Sequence, residues 1–574
     1  MLRKADQPRA LEINSAASGS AVTASDRRLS IVPIVILLSL AALMVIGRLG
    51  TYGKPLDRDL MTYSVMGHEL LAGRSLYSDL WEQKPPTIYI TYAVAEILTG
   101  YGPHTIFLLG VVMSIITLLG VYFAGSASSG GMTAGLWAAA FWAIISNNLE
   151  LDAGSPNTEV FMNACLIWAF ALLVRMDGRS SGLWRSLAIG ALFALASSYK
   201  TIVVAIPVLL ACVHVAFPPA GSPGRRRALG QVLVMAAVSI GAWVLVFSYF
   251  AVTGRFEAFR EVFIYNRYYA GGLKNMIVNL LAPVRRTSQL IPNFLNPLAI
   301  LTSVGVVFGI SKSVRFWALL SAFIIATWIG IALPGGFWPH YYQLWLPPLA
   351  VGAGWAVGLL AKVTAVRRFA WLPHVAGAVV LAILIVQELP WYRRALAGDW
   401  SEIVASPRFA AADRFAPQIE EILAPDETFY VWGDSPALYF WTRRHPPTRY
   451  LLTTHIIGFM PWRYLSTMET MGGPLADAFS ARVAADLARE QPELFIVERA
   501  PLGLAQPEVF DISRDKEQPE IIVNKAGHPV IDWFAEHYRP FPNNPDRGYY
   551  VLFMRRGGKL EARMEAAVNK NQTQ

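Results

Sequence analysis

The sequence predicts a polytopic α-helical membrane protein that carries a small C-terminal α/β domain outside the bilayer. Three observations lead to that class. Hydrophobic residues make up 54% of the 574 and charged residues only 16%, a more apolar balance than a soluble globule has. Apolar runs of about 20 residues, enough to cross a hydrocarbon core of roughly 30 Å, recur through the first two-thirds of the chain. The last third is far more polar and alternates short strand-like runs with amphipathic helical ones.

Residues 1–29 are polar, rich in Ser and Ala, and end in Arg27 and Arg28. They read as a disordered cytoplasmic tail before a retained signal anchor, because no small-x-small cleavage site follows the first apolar run. The membrane domain, 30–392, holds eleven predicted spans: 31–50, 104–125, 131–148, 158–174, 186–199, 201–217, 228–252, 293–310, 316–333, 343–361 and 370–389. The run 186–217 is too long for one helix and short for two. Arg185 before it and Arg225, Arg226 and Arg227 after it both read as cytoplasmic, so the chain crosses an even number of times between them and Lys200 falls on the outer face. Arg175, Arg179, Lys312, Arg315, Lys362, Arg367 and Arg368 share the inner side, and the long loops 51–103 and 253–292 lie outside.

In the first outer loop, 60–72 and 87–99 are helix-length, amphipathic and rich in Tyr, the pattern of helices lying along the interface. An odd number of spans leaves 393–560 outside the cytoplasm, which in a bacterium is the periplasmic side of the inner (plasma) membrane. There 428–432, 494–497 and 549–554 read as strands, 407–423 and 475–489 as helices, and 561–574 as a polar tail. Cys165 and Cys212 fall inside apolar segments and read as packing residues rather than a disulfide pair. The Gly354 and Gly358 step reads as helix packing.

The residues with chemistry to offer collect on the predicted outer face. Asp57 and Asp59 flank Arg58 just beyond the first span; they read as a loop ending a helix or as a general base for an acceptor hydroxyl. Glu82-Gln83-Lys84-Pro85-Pro86 sets a cation before a stiff, extended step. Lys84 there reads as a point charge for a phosphate, or as a side chain snorkelling to headgroups. Asn157 and Thr158 suit a helix cap, with Glu159 either in the first helical turn or pointing into a site.

Lys200 is costly among apolar residues without a partner, which makes it a functional residue by default. His340 precedes Tyr341 and Tyr342 at an outer helix entrance, where an aromatic belt accounts for the tyrosines but not for the histidine. Arg267 is the remaining basic residue of the set. Glu82 and Glu159 are the residues open to a divalent cation, the one cofactor the sequence leaves room for. Cys/His metal spacings, nucleophile elbows and nucleotide-binding glycine loops are absent, and nothing reads as a nucleic-acid surface.

Taken in order, an acid after the first span, Lys-Pro-Pro before the second, Asn-Thr-Glu at the fourth, a lysine between the fifth and sixth, and His-Tyr-Tyr before a late helix resemble the GT-C glycosyltransferases. The similar members are the protein O-mannosyltransferases, lipid A aminoarabinose transferase and the rhizobial galacturonosyltransferases. The resemblance implies transfer of a sugar from a polyprenyl-phosphate donor to a glycan, lipopolysaccharide, lipid or protein acceptor by a single inverting displacement. It implies Asp59 as catalytic carboxylate, with Asp57 the other match, Lys84, Lys200, His340 and Arg267 at the donor phosphate, and Glu159 beside the acceptor or a metal. Arg58, Glu82, Asn157, Tyr341 and Tyr342 are then secondary site residues. Gln83 stands where several relatives have an acid, and Leu60 where an acid is common, which weighs against a family-like metal site. A sugar or lipid transporter is the alternative, with Lys200 and the acidic loops lining a passage.

Overall fold

The structure, a computed structural model, describes residues 31–128, 130–176, 182–219, 221, 224–269, 272–281, 293–363, 368–369, 371–400, 408–456, 459–460, 469–470, 473–498, 510–512, 521–523, 528–542 and 549–572. The tail 1–29, Arg179 and Arg367 lie outside them. The membrane part runs α1 (Ile31–Leu49), α2 (Arg58–Leu71), α3 (Thr87–Thr99), α4 (Pro103–Gly125), α5 (Gly131–Ile145), α6 (Thr158–Val174), α7 (Gly182–Tyr199), α8 (Ala205–Ala216), α9 (Arg225–Val252), α10 (Phe256–Tyr269), α11 (Gly272–Leu280), α12 (Asn296–Gly309), α13 (Val314–Ala332), α14 (Leu346–Lys362) and α15 (Leu372–Leu396). Among the described residues six helices, counting Pro339–Trp345 with α14, are long and apolar enough to cross a membrane, and shorter apolar ones pack among them. This is a multi-pass membrane protein.

Every apolar segment read as a span is helical. The hard case, 186–217, divides into α7 and α8 around an extended Lys200 and the 3-10 turn Thr201–Val204. The glycine step also packs helices: a Cβ on Gly354 would lie 2.5 Å from the Ala134 carbonyl oxygen and one on Gly358 2.7 Å from the Ala134 Cβ, so α14 and α5 approach backbone to backbone.

The helices fix two ends of the bundle. Arg175 at the C-terminal end of α6 bonds to Phe123 O (3.0 Å) and Ser126 Oγ (2.7 Å) at the end of α4, Arg185 at the start of α7 bonds to Arg175 O, and Arg315 at the start of α13 reaches Leu173 O at 3.0 Å. These basic residues share one end. Glu159 begins α6 and Lys200 follows α7, so both stand at the other end, about 24 Å away by helical rise over α6.

Across that second end lie α2 and α3, as read from the amphipathic Tyr-rich segments. Gly67 lets them touch, since a Cβ there would sit 2.8 Å from Ala93 N. The C-terminal domain rests on this layer. It holds α16 (Arg408–Ile422), β1 (Phe429–Trp432), α17 (Ala437–Thr442), α18 (Thr453–Ile456), β2 (Phe459–Met460), β3 (Glu469–Thr470), α19 (Gly473–Glu490), β4 (Leu494–Glu498), β5 (Phe510–Ile512), β6 (Ile521–Val523), α20 (Pro529–His537), β7 (Tyr538–Pro540), β8 (Tyr550–Arg555) and α21 (Lys559–Gln572). Its main sheet has the order β1-β4-β8-β7, with β1 and β4 parallel and the other two pairs antiparallel.

The stretch 561–574, read as a polar tail, continues as α21 through Gln572, where Arg563 Nη2 pairs with Glu427 at 2.8 Å and Leu560 packs its start into the domain core.

The seam between loop and domain is aromatic. Trp81, 1% exposed, is ringed by Tyr265, Tyr450, His455 and Phe479 at centroid distances of 5.4, 5.4, 5.1 and 4.7 Å, and its backbone N–H donates to Arg449 O at 2.7 Å. Arg482 on α19 grips Glu261 on α10 with two bonds of 2.7 Å.

Candidate active site

The site is set by two helix starts and one helix break. Asp57 caps α2 by accepting the Leu60 N–H at 3.0 Å, which places Arg58 and Asp59 in the first turn. Arg58 Nε and Nη2 lie 3.2 Å from Asp59 Oδ1, while Asp59 Oδ2 faces Lys84 Nζ at 3.4 Å and the Tyr63 hydroxyl, one turn along, at 3.3 Å. Lys84 is held by Glu82, through Nζ at 3.1 Å and its backbone N–H at 2.9 Å, and Tyr89 donates to the same carboxylate. The Tyr77 hydroxyl secures the Lys84 carbonyl at 2.9 Å before Pro85 and Pro86 lead into α3.

A second group forms at α6. Asn157 caps it, its Oδ1 accepting the Thr158 N–H at 2.8 Å. Glu159 follows in the first turn, fully buried, and takes Thr158 Oγ1 and Lys200 Nζ at 2.9 Å each. Capping and site are thus compatible roles for this turn. Lys200 Nζ also sits 3.7 Å from the Tyr341 ring centroid, a cation–π contact, and His340 meets Tyr341 edge-on at 4.8 Å. The two groups join at Tyr63, whose hydroxyl lies 3.1 Å from Asn157 Oδ1 as well as near Asp59, and at His340, which interacts electrostatically with Glu159, Lys200 and Asp59.

Asp59, Lys84, Glu159, Lys200 and His340 are therefore brought together, with Arg58, Glu82, Asn157 and Tyr341 among them. Tyr342 faces Trp345 at 5.9 Å. Arg267 stands apart: it is exposed on α10, and its neighbour Asn266 makes the contact to this loop, donating to Gln83 O at 2.8 Å. Glu82 and Glu159 each hold a lysine rather than an open ligand position, and among the described residues no three His, Cys, Asp or Glu side chains group to hold a metal ion.

The electrostatics separate the two aspartates. Burial opposes the Asp59 charge, but Lys84, Arg58 and His340 outweigh it and hold the carboxyl well below the usual range. Burial raises Asp57, and the nearby Asp152 and Asp59 add to it, pushing it up to about 8. The surroundings thus favour the protonated form of Asp57 and the ionised form of Asp59. Asp59 keeps 18% of its side chain exposed and Lys84 11%, so an incoming molecule can reach both.

Sequence reasoning missed Tyr63, Tyr89 and, from the C-terminal domain, Asp434, whose Oδ2 lies 3.4 Å from Arg58 Nη1. Tyr63 was findable, since it stands four residues after Asp59 on a helix and so on the same face.

No protein-family model matches the sequence, nor does any curated protein. Solved structures do. The chain is similar to ArnT from Cupriavidus metallidurans in the apo state, with 17% identity, 91% of this chain and 97% of that one covered, and a TM-score of 0.54. For the same protein bound to undecaprenyl phosphate the figures are 18%, 87%, 99% and 0.50. The oligosaccharyltransferase AglB from Archaeoglobus fulgidus, in complex with an inhibitory peptide and a dolichol-phosphate, gives 14%, 81%, 69% and 0.48. With its helix order, its interfacial pair and its C-terminal domain laid over the bundle, the chain has the GT-C fold, that of ArnT.

Proposed function

We propose that the protein is a membrane glycosyltransferase that moves a sugar from a polyprenyl-phosphate donor to a hydroxyl on the extracytoplasmic face. The observation that carries this reading is the joining of Asp59, Lys84, Glu159 and Lys200 at one end of the bundle, where each lysine already faces a carboxylate. Charge supports the sidedness: the opposite end carries Arg175, Arg185 and Arg315, the bias expected of a cytoplasmic end. The likeness to ArnT, solved with undecaprenyl phosphate, supports the donor class.

In the displacement, the acceptor oxygen forms a bond to the anomeric carbon as the bond from that carbon to the phosphate oxygen breaks. The acceptor proton passes to Asp59, and polyprenyl phosphate leaves as an anion toward Lys84 and Lys200. An Asp59 gripped by two cations is a weak base at rest. Donor phosphate competes with Asp59 for Lys84, loosening the grip when a base is needed, and fixed cations in a water-poor site stabilise the leaving phosphate more than water does. Glu159 holds Lys200 in place and Tyr341 cradles its ammonium.

The test is transfer by purified protein from an undecaprenyl-phosphate-linked sugar. Asp59→Asn is expected to lower turnover by about a hundredfold or more while undecaprenyl phosphate binding persists. Unchanged turnover in that variant refutes Asp59 as the base, and binding without transfer by the parent protein favours a transporter.

A further inference from the structure

The carboxyl ends of β1 and β4 point at the site. The chain leaves β1 through Gly433, Asp434 and Ser435, and this turn is fixed on every side. Gly433 N–H donates to Thr453 Oγ1 at 2.7 Å, Asp434 N–H to Glu498 Oε2 at 2.6 Å, and Ser435 Oγ meets Glu498 Oε1 at 3.2 Å and the Tyr550 hydroxyl at 2.9 Å. A Cβ on Gly433 would sit 2.4 Å from Glu498 Oε2, so only glycine allows the approach. Asp434 is 8% exposed. Its Oδ1 accepts Thr454 N–H at 3.1 Å and Thr454 Oγ1 at 3.0 Å, and its Oδ2 faces out of the domain to Arg58 Nη1 at 3.4 Å.

Arg58 therefore lies between two carboxylates, one from its own helix and one from a residue 376 positions later. A guanidinium is a rigid fork, and nitrogen donors held by one carboxylate are withdrawn from another. We propose that Asp434 is a positioning residue for the transfer reaction: it shares the fork of Arg58, so the C-terminal domain sets how tightly Arg58 grips Asp59. The proposal rests on the glycosyltransfer reading above and gives the domain a part in the chemistry itself.

Asp434→Asn keeps the shape and removes the charge. Arg58 then turns its full charge on Asp59, and the site gains one net positive charge for a phosphate. The expected result is a split: kcat falls about tenfold, while affinity for undecaprenyl phosphate alone rises about threefold. A merely structural role lowers both. Asp434→Glu is expected to restore most of the turnover, and Thr454→Val, which loosens Asp434 without touching its charge, to lower kcat in the same direction by a smaller factor. In protein already carrying Asp59→Asn, Asp434→Asn is expected to add no further loss. Unchanged kcat and affinity in Asp434→Asn, or loss of affinity together with kcat, overturns the proposal. The binding arm needs no sugar transfer, so a rise in affinity in a protein that transfers nothing retains the Asp434 effect and removes the glycosyltransfer reading instead.

Discussion

Glu159 and Lys200 show how much a single side chain carries here. A carboxylate at 0% exposure is tolerable only with its lysine, and taking one partner away leaves a buried charge uncompensated. Lys200→Met is expected to destabilise the protein by about 3 kcal/mol, measured as loss of thermal stability in detergent, whereas Lys200→Met with Glu159→Gln is expected to recover most of that stability without recovering transfer. Recovery of transfer in the double variant would reduce the pair to a structural role. These two residues were legible because an ionisable group at a membrane segment has few bland explanations. Tyr63 was legible only through its i,i+4 spacing from Asp59, and Asp434 was not. A tyrosine in a Tyr-rich loop carries no mark of its own, and Asp434 meets Arg58 only through the docking of a distant domain, which no local pattern encodes.

At the scale of elements, the start of α2 combines a cap with a trapped proton. Burial beside Asp152 and Asp59 raises Asp57 to about 8, against about 3.9 in an unfolded chain. Between those values the folded state keeps a proton that the unfolded state releases, so this group's contribution to stability is full below about pH 4 and is lost as the pH rises toward 8. Asn caps helices as well as Asp does and does not titrate. Relative to the parent, Asp57→Asn is therefore expected to gain up to about 4 kcal/mol between pH 5 and pH 8 in thermal or denaturant unfolding. A variant that gains nothing on the parent between the two pH values contradicts the assignment. Asp59 works in the opposite sense: its depressed carboxyl contributes stability above the unfolded value, and that contribution is lost only in acid.

The apolar helices were readable for a plain reason, since hydrocarbon leaves the backbone few alternatives to helix. Helix α10, α11 and α21 were not, because polar amphipathic segments take their structure from partners such as Arg482 for α10 and Glu427 for α21. Strand β7 spans only Tyr538–Pro540 and depends on pairing with β8, so three residues gave no pattern to read.

For the whole molecule, the decisive feature is that the C-terminal domain closes over the first outer loop. The Trp81 cluster holds that seam. Trp81→Ala is expected to cost about 3–5 kcal/mol and to expose the domain junction to limited proteolysis, with transfer falling alongside; a protease pattern and activity equal to the parent's would detach the domain from the site. The sequence suggests sidedness through the distribution of its arginines, and in the structure the basic cluster lies at the end of the bundle away from Glu159. The meeting of two ion-paired groups was less legible, because it depends on how α2, α6 and the turn before α14 pack. Its most direct test is an experimental structure of the protein with undecaprenyl phosphate. The account predicts the phosphate within hydrogen-bonding reach of Lys84 and Lys200, beside Asp59. A phosphate settled instead in the membrane-facing groove between α8 and α9, near Arg225 and away from those lysines, would contradict it.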